Sequence, residues 1–263
     1  MKLDRQALIG HLRDQEEKAI LAKVLDHAEN VLKNHRPLLT NFYDPYHTGL
    51  IISMLERIPD LDFATNGGYE TAERVRTAIF PDYLDENNID YETVLLAVEG
   101  NFKIVKVTHR DFLGSILGLG IKREMVGDLI VTDTGCQVVA VKEVAPYLSA
   151  NLTRVHRVRV DVREIKPEEL VLPEIKVKEI KTTVASLRLD AVAAAGFGTS
   201  RTRIAREILA EKLSLNWHTC SNVASPVRPG DIISMRGRGR IEVAEVKGST
   251  RSGRIGIVIR RFL

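Results

Sequence analysis

Residues 188–240 read RLDAVAAAGFGTSRTRIAREILAEKLSLNWHTCSNVASPVRPGDIISMRGRGR, and this stretch decides the fold of the C-terminal part of the chain. The glycines of its Gly-Phe-Gly segment end a predicted short helix, and Thr199 or Ser200 supplies a hydroxyl cap for a second helix. A strand follows, then a tight Pro-Gly-Asp turn. Last comes a predicted strand over 236–240, in which arginines alternate with glycines.

The second of these helices has an apolar side and a basic side. At 100° per residue its apolar residues share one face, which predicts core contacts for Ile204, Ala205, Ile208 and Leu209. Arg203 and Arg206 fall on the opposite side, toward solvent. Arg201 and Arg203 also lie in the first turn, where the helix dipole disfavours cations by roughly 0.3–1 kcal/mol each. A bound phosphate would explain these arginines, because helix N-terminus and guanidinium groups favour the same anion.

The predicted arginine strand has two interpretations. Side chains alternate along a strand, so Arg236, Arg238 and Arg240 are expected to point the same way. They could form a solvated edge that discourages aggregation, although lysine is the usual residue for that purpose. They could instead form a row of phosphate contacts, since the planar guanidinium matches the geometry of phosphate.

The charge of the chain is unevenly distributed. Residues 183–263 hold 14 Lys and Arg against 6 Asp and Glu, whereas the first 182 residues hold 24 against 29. A mildly acidic body is therefore joined to a basic C-terminal part, which favours a nucleic-acid partner for that part. A second hypothesis is that the acidic body docks on a protein while the basic part holds RNA.

Residues 188–240 resemble the S4 RNA-binding domain, also called the alpha-L module. The resemblance is carried by Arg-Leu-Asp at 188–190, the Ser-Arg helix start at 200–201, Asn216 at the strand end and the Pro-Gly-Asp turn. Together with the charge pattern it gives these candidate RNA-binding residues: Arg188, Ser200, Arg201, Arg203, Arg206, Asn216, Arg236, Arg238 and Arg240. The chain departs from the pattern at Glu211 or a neighbour, where such domains usually carry glycine, and this leaves the geometry of the helix exit open.

Two residues at the end of the predicted strand keep alternative roles. Asn216 could hydrogen-bond RNA or could stabilise its own turn. Trp217 could stack on a base, although a lone tryptophan beside a strand is more often half-buried packing.

The pattern along the whole chain predicts an α+β protein in four parts. Residues 1–85 form a mostly helical block, and 86–166 form an α+β plait similar to the RRM-like sandwich. Residues 167–182 are a proline-containing, charged linker that could pair as an edge strand. Residues 183–263 form the S4 domain with a C-terminal β-hairpin extension. The plait lacks the exposed aromatic pair on which RRM sheets stack bases, so we do not expect it to bind RNA in the usual RRM way.

Motifs across almost the whole chain, in the same order, resemble the YlmH family of bacterial RNA-binding proteins. They are Asp44-Pro45, Gly67–Glu70, Ala72–Arg74, Pro81–Tyr83, His109–Gly114, Leu119–Glu124, Gly127-Asp128 and Arg236–Arg240. The resemblance implies association with the large ribosomal subunit, contact with rRNA and tRNA, and a role in ribosome-associated quality control of stalled nascent chains. A branch of the family in phototrophs is called the photosystem II S4 domain protein. The alternative is therefore an RNA-binding factor in photosystem II biogenesis.

One motif suggests a second basic contact. His109, Arg110, Lys122 and Arg123 could together touch RNA. The alternative is a cap cluster at the start of a helix, with Asp111 as the cap. The His-Arg-Asp triplet is also found in kinases, but the asparagine that a kinase requires five residues later is replaced by Ile116.

Other classes of function are disfavoured. A pseudouridine synthase-like enzyme would carry its S4 domain at the N-terminus and its catalytic aspartate in a separate domain. We expect no enzyme activity, no cofactor and no small-molecule substrate. Cys136 and Cys220 are far apart and lie in no cluster with ligand spacing, so no metal site is expected. The sequence has no signal peptide and no apolar run long enough to span a membrane, which predicts a cytoplasmic protein.

Overall fold

The computed structural model describes residues 3–103, 105, 107–172, 174, 176–250 and 253–263. It has an α+β fold with several antiparallel sheets, and its described residues include seven α-helices and fourteen strands. The chain divides into two compact units, residues 1–173 and 174–263. No helix among the described residues is both long enough and apolar enough to cross a membrane.

The first unit begins with helices that cover a small sheet. The helices are α1 (Arg5–Ile9), α2 (Gln15–Asn34) and α3 (Pro45–Leu55), and the strands are β1 (Leu38–Tyr43), β2 (Leu61–Asn66) and β3 (Val75–Pro81), in the order β1-β3-β2. Asp14 caps α2 and Asp44 caps α3, each accepting backbone N–H groups of the first turn. The apolar face of α2 buries Leu21, Val24, Leu25, Ala28 and Val31 in the core of this part.

The rest of the first unit is a larger sheet with helices against it. It consists of β4 (Thr93–Gly100), α4 (His109–Gly118), β5 (Val126–Thr132), β6 (Gly135–Val141), α5 (Ala145–Asn151), β7 (Arg154–Val155) and β8 (Val158–Ile165). The strands pair antiparallel in the order β5-β6-β4-β8-β7. Phe112, Ile116 and Leu148 bring α4 and α5 into one core with β4 and β6.

The second unit is built on a six-stranded antiparallel sheet. Its elements are β9 (Val177–Val184), α6 (Leu189–Phe197), α7 (Arg201–Leu209), β10 (Leu213–Leu215), β11 (His218–Thr219), β12 (Ile232–Met235), β13 (Gly239–Ser249) and β14 (Ile255–Phe262). The strand order is β11-β10-β12-β13-β14-β9. Apolar residues of α6 and α7 share one core with the inner face of the sheet, where Ile233, Ile241 and Ile259 are fully buried. Arg251 and Ser252, which follow β13 in the sequence, lie outside the described residues.

The stretch predicted as a linker, 167–182, is only partly a linker. Val177–Val184 is a strand that pairs along its whole length with β14, from Val177 opposite Phe262 to Val184 opposite Ile255. It lies at the edge of the sheet, as the alternating charges suggested. The C-terminal unit thus starts before residue 183, because the backbone groups of β14 need a partner on that side.

Candidate nucleic-acid interface

Asp190 joins the starts of α6 and α7. Its carboxylate is buried and accepts hydrogen bonds from Arg188 Nε at 3.2 Å and from an Nη atom of Arg201 at 2.7 Å. Burial alone would raise the pKa of Asp190, but the two guanidinium groups hold it below its ordinary value. The side chains of Arg188 and Arg201 remain 41% and 51% exposed. Two candidate contact residues are thus oriented together and still face solvent.

The start of α7 has the predicted cap and the predicted basic side. Ser200 is the N-cap, and its hydroxyl oxygen accepts the backbone N–H of Arg203 at 3.3 Å. Arg203 and Arg206 are exposed. Among the described residues neither guanidinium has an ion-pair or hydrogen-bond partner.

The buried face of α7 is narrower than the sequence predicts. Ile204 and Ile208 are fully buried and Ala205 is half-buried, but Leu209 is 69% exposed. The helix is only nine residues long and ends at Leu209. Its core contact is therefore a narrow i, i+4 pair, and the last residue of the helix lies outside it.

The arginine-glycine segment is a turn and not the predicted strand. β12 ends at Met235, which pairs with Gly239 at the start of β13, so residues 236–238 form the hairpin connection. Gly237 and Gly239 have φ of 79° and 86°, a left-handed conformation that glycine adopts without strain. The alternation of arginine and glycine predicts a strand, and this prediction is wrong for residues 236–238. The glycines allow the chain to turn here.

Because this segment turns, its three arginines do not form one row. Arg236 is exposed at the tip of the turn. Arg238 is half-buried, with an Nη atom 3.5 Å from the carbonyl oxygen of Phe197 at the end of α6. The guanidinium of Arg240 lies over the ring of Trp217, 5.3 Å from its centroid. Arg236 is thus the most accessible of the three, while Arg240 is in a cation–π contact.

Both ends of the Asn216 side-chain amide are hydrogen-bonded within the protein. Its amide nitrogen donates to Asp231 at 2.8 Å, and its amide oxygen accepts the backbone N–H of Ile232 at 2.8 Å. Asn216 and Trp217 both have positive φ and form the two-residue turn between β10 and β11. The structure therefore favours the turn-stabilising alternative for Asn216 and the packing alternative for Trp217.

At the end of α7, Glu211 adopts the left-handed backbone conformation that glycine usually adopts at this position. Glu211 has a φ of 54°, its N–H donates to the carbonyl of Ile208, and the N–H of Lys212 donates to the carbonyl of Glu207. These two bonds form a Schellman motif, in which the left-handed position is usually occupied by glycine. The departure from the S4 pattern thus changes the residue and adds backbone strain, but α7 still ends in the expected way.

Arg238 and Arg261 both contact Phe197, which the sequence analysis did not predict. The guanidinium of Arg261, in the last strand, lies 5.9 Å from the centroid of the Phe197 ring, and Arg238 approaches the Phe197 carbonyl. Phe197 itself is buried. The only sequence signal was the basic pair at 260–261, and the neighbouring Arg260 is in an ion pair with Glu242 at 3.6 Å.

The residues of the proposed second basic contact in the first unit have different environments, and only some of them face solvent. Arg110 and Lys122 are exposed, but Arg123 donates hydrogen bonds to the backbone carbonyls of Val126 and Gly127. Burial and the nearby Arg74 lower the pKa of Arg123 to about 10. Partial removal from water and the charge of Arg123 lower the pKa of His109. Arg123 is thus used inside the fold.

Thr108, and not Asp111, is the N-cap of α4, and Asp111 is the third residue of the helix. The alternative interpretation named the wrong cap residue, although Asp111 takes part in the helix start. Its carboxylate accepts hydrogen bonds from the backbone N–H of Thr108 at 2.8 Å and from the Thr108 hydroxyl at 2.7 Å. The pair forms a reciprocal cap at the N-terminus of α4.

Several motif residues of the first unit have structural roles that the sequence did not reveal. The carboxylate of Asp128 accepts from the Tyr69 hydroxyl at 2.8 Å and from the backbone N–H groups of Glu73 and Arg74. Arg74 in turn donates to the carbonyls of Phe42 and Val126. These bonds fasten the segment before β3 to β5 and explain why acidic, tyrosine and arginine residues occur at these positions.

No group of three His, Cys, Asp or Glu side chains in the described part of the chain could hold a metal ion. Cys136 is buried in the sheet core, and burial raises the pKa of its thiol to about 12. Cys220 is half-buried, with its Sγ 3.0 Å from the Ser225 hydroxyl. The thiol of Cys136 is therefore a packing group at neutral pH.

Comparison with known proteins gives consistent matches. The family model described as "YlmH, N-terminal" matches residues 16–84, and "Putative RNA-binding domain in YlmH" matches residues 86–169. The ribosome-associated protein quality control protein P2 of Bacillus subtilis (strain 168) is 31% identical over 251 residues, which cover 95% of this chain and 97% of that protein. The solved structure of the cell division protein ylmH from Streptococcus pneumoniae matches with a TM-score of 0.51 and 25% identity, over 60% of this chain and 96% of that one.

Proposed function

This chain belongs to the YlmH family, and we propose that it is a non-catalytic protein that binds rRNA and tRNA on the large ribosomal subunit. Its role would be the quality control of stalled nascent chains in the cytoplasm. The observation that carries the proposal is the basic surface at the starts of α6 and α7. There Asp190 orients Arg188 and Arg201. Arg203 and Arg206 of α7 are exposed and have no ion pair among the described residues.

The layout of the second unit supports an S4 domain as the RNA-binding part. Two short helices, α6 and α7, precede β10, β11 and β12, and the Asn216–Asp231 hydrogen bond connects the strand end to the Pro-Gly-Asp turn. The domain would extend from β9 to the C-terminal hairpin.

The second sheet of the first unit supports an RRM-like plait over residues 86–166. Its order of elements is β4, α4, β5, β6, α5, β8, with the short β7 added beside β8. All seven residues of β6, the strand between β5 and β4, are buried, which leaves neither face of this inner strand open for base stacking. Any RNA contact of this plait would therefore use another surface.

Electrostatics supports phosphate as the group that the C-terminal surface recognises. Arg201 and Arg203 lie in the first turn of α7, where the helix dipole already favours an anion. Exposed arginines at such a position destabilise the free protein slightly and stabilise a complex with phosphate. The same side of the unit adds Arg206, on the exposed side of α7.

A sedimentation experiment tests the proposal. Wild-type protein is mixed with Bacillus subtilis large ribosomal subunits and run through a sucrose gradient beside an Arg201→Gln/Arg203→Gln variant. We expect wild type to migrate with the subunits and the variant to stay at the top. The charge-matched control is Lys181→Gln/Arg260→Gln, which removes two exposed cations that are already paired with Glu179 and Glu242. Absence of wild type from the subunit peak, or equal binding by the double variant, would contradict the proposal.

A further inference from the structure

The β7–β8 hairpin, at the edge of the larger sheet, concentrates positive charge. Arg154, His156, Arg157 and Arg159 are exposed, while Val155 and Val158 are buried and attach the hairpin to the core. His156 and Arg157 form the two-residue turn between β7 and β8, and His156 has a φ of 53° there. No acidic residue lies between positions 154 and 159.

Two of these arginines repel each other across the hairpin. Arg154 and Arg159 are directly opposite in the antiparallel pairing, and like charges in that relationship are destabilising. Within the part of the chain that the structure describes, Arg154, Arg157 and Arg159 have no ion pair and no side-chain hydrogen bond. Folding stability of the free protein therefore gives no reason for these three charges.

The other end of the same strand shows the contrast. Arg163, also exposed in β8, is 2.8 Å from Glu169 and 3.4 Å from Glu99. The arginine in the second half of β8 is thus neutralised, whereas the arginines at the hairpin have no ion pair among the residues that the structure describes. Asp161, on the same face as Arg159 and Arg163, forms no ion pair within the described residues.

The start of α4 adds to the same surface. α4 packs beside β7, and Arg110 is exposed in the first turn of α4, next to Asp111. The Asp111 carboxylate is already occupied by Thr108. Arg110 therefore extends the basic surface from the hairpin onto the helix.

We propose that Arg110, Arg154, His156, Arg157 and Arg159, together the hairpin surface, bind the phosphate backbone of RNA. The inference rests on the proposed function and gives the first unit its own contact with the RNA. Arginine suits this role because its planar guanidinium binds phosphate bidentately. The five residues include no tyrosine, tryptophan or phenylalanine, so the surface recognises backbone and not stacked bases. Charged side chains that protect a sheet edge are usually lysines, and such protection gives no reason for two arginines directly opposite each other.

The test removes the hairpin charges from the full-length protein. The variant is Arg154→Gln/Arg157→Gln/Arg159→Gln, and the charge-matched control is Arg163→Gln/Lys181→Gln/Arg260→Gln, whose three exposed cations are each paired with a carboxylate. Affinity is measured against salt concentration with two probes, Bacillus subtilis large subunits and deproteinised rRNA from those subunits. The slope of log K against log salt is negative, and each lost phosphate contact makes it shallower by about 0.7–0.9.

For the hairpin variant we expect the negative slope to become shallower by about 2–3 with both probes. We expect its melting temperature to equal or exceed that of wild type because repulsion is relieved. Equal slopes for the hairpin and control variants would overturn the inference. So would weakened binding to subunits with unchanged binding to rRNA, since the partner would then be a ribosomal protein. The single variant Arg157→Gln, expected to lose about one contact, repeats the test with minimal change to the fold.

The proposed function can fail separately from this inference. Wild type that binds neither probe would overturn the proposed function and the inference together. Wild type that binds both probes, loses affinity on Arg201→Gln/Arg203→Gln and is unchanged in the hairpin variant would retain the proposed function and overturn only the inference.

Discussion

The carboxylate of Asp190 lies 2.7 Å from the guanidinium of Arg201, and this ion pair connects the first turn of α6 to the first turn of α7. The same carboxylate also accepts from Arg188. One buried acid thus fixes the position of two arginines whose side chains are about half exposed. In the Arg-Leu-Asp triplet, the aspartate therefore holds basic side chains in positions that face solvent.

Replacing this acid should affect both stability and RNA binding. In Asp190→Asn the charge-assisted hydrogen bonds to Arg188 and Arg201 are lost, and we expect the second unit to be less stable by about 1–3 kcal/mol. RNA affinity should fall although the net positive charge increases, because Arg201 is no longer oriented. Urea unfolding followed by the fluorescence of Trp217, the chain's one tryptophan, measures the first effect. RNA titration measures the second, and higher affinity in the variant would contradict the positioning role.

The same pair predicts a pH dependence. The pKa of Asp190 is lowered in the folded protein, so its contribution to stability is complete above the unfolded value of about 3.9 and is lost as pH falls through the folded value. The difference in unfolding free energy between wild type and Asp190→Asn should be constant from about pH 5 to 8 and should shrink below about pH 4. A difference that grows on acidification would refute this assignment.

The left-handed residue at the end of α7 predicts a stabilising substitution. Glu211 has a φ of 54°, which costs a residue with a side chain more than it costs glycine. We expect Glu211→Gly to stabilise the second unit by about 0.5–1 kcal/mol. Glu211→Ala is the control, because it removes the same charge but keeps the Cβ atom. Equal stability of the two variants would show that charge, and not backbone strain, sets the effect.

The contact between Arg240 and Trp217 predicts a spectroscopic change. Removing the guanidinium from the indole face in Arg240→Gln should shift the emission of Trp217 and destabilise the unit by about 0.5–1 kcal/mol. Arg236→Gln, in the same segment but at the exposed turn, should leave the emission unchanged. If both variants gave the wild-type spectrum, the cation–π contact would not persist in solution.

The hydrogen bonds of Asp128 predict a large stability effect in the first unit. Asp128→Ala leaves the Tyr69 hydroxyl and two backbone N–H groups without their acceptor, so we expect a loss of about 2–4 kcal/mol. Asp161→Ala removes an exposed carboxylate that has no ion pair among the described residues, and its stability should be within about 0.5 kcal/mol of wild type. Thermal unfolding monitored by circular dichroism compares the two variants.

Local chemistry made part of the structure predictable. The Ser200 cap and the hairpin between β13 and β14 depend on interactions between near neighbours, and the structure has both. The possible edge pairing within 167–182 was visible as charge alternation. The family was readable from short motifs spaced along the whole chain, since their order is a property of the sequence alone.

Other features depended on distant residues. The Arg-Gly-Arg segment alternates like a strand, but the pairing of Met235 with Gly239 makes it a turn. Arg123 reads as a surface cation, yet the free carbonyls of Val126 and Gly127 bind it. The conformation at Glu211 is retained by the hydrogen bonds of the helix end although glycine is absent.

By itself, the sequence determined which residues cap helices, where charge accumulates and to which family the chain belongs. Only the tertiary structure decided which arginines are used internally and which remain available. Arg74 and Arg123 bind backbone carbonyls, Arg163 binds carboxylates, and Arg154 and Arg203 have no ion-pair partner within the described residues. The physical reason is that a guanidinium group has the same chemistry everywhere in the sequence. Its role is set by the acceptors that folding brings within hydrogen-bonding distance.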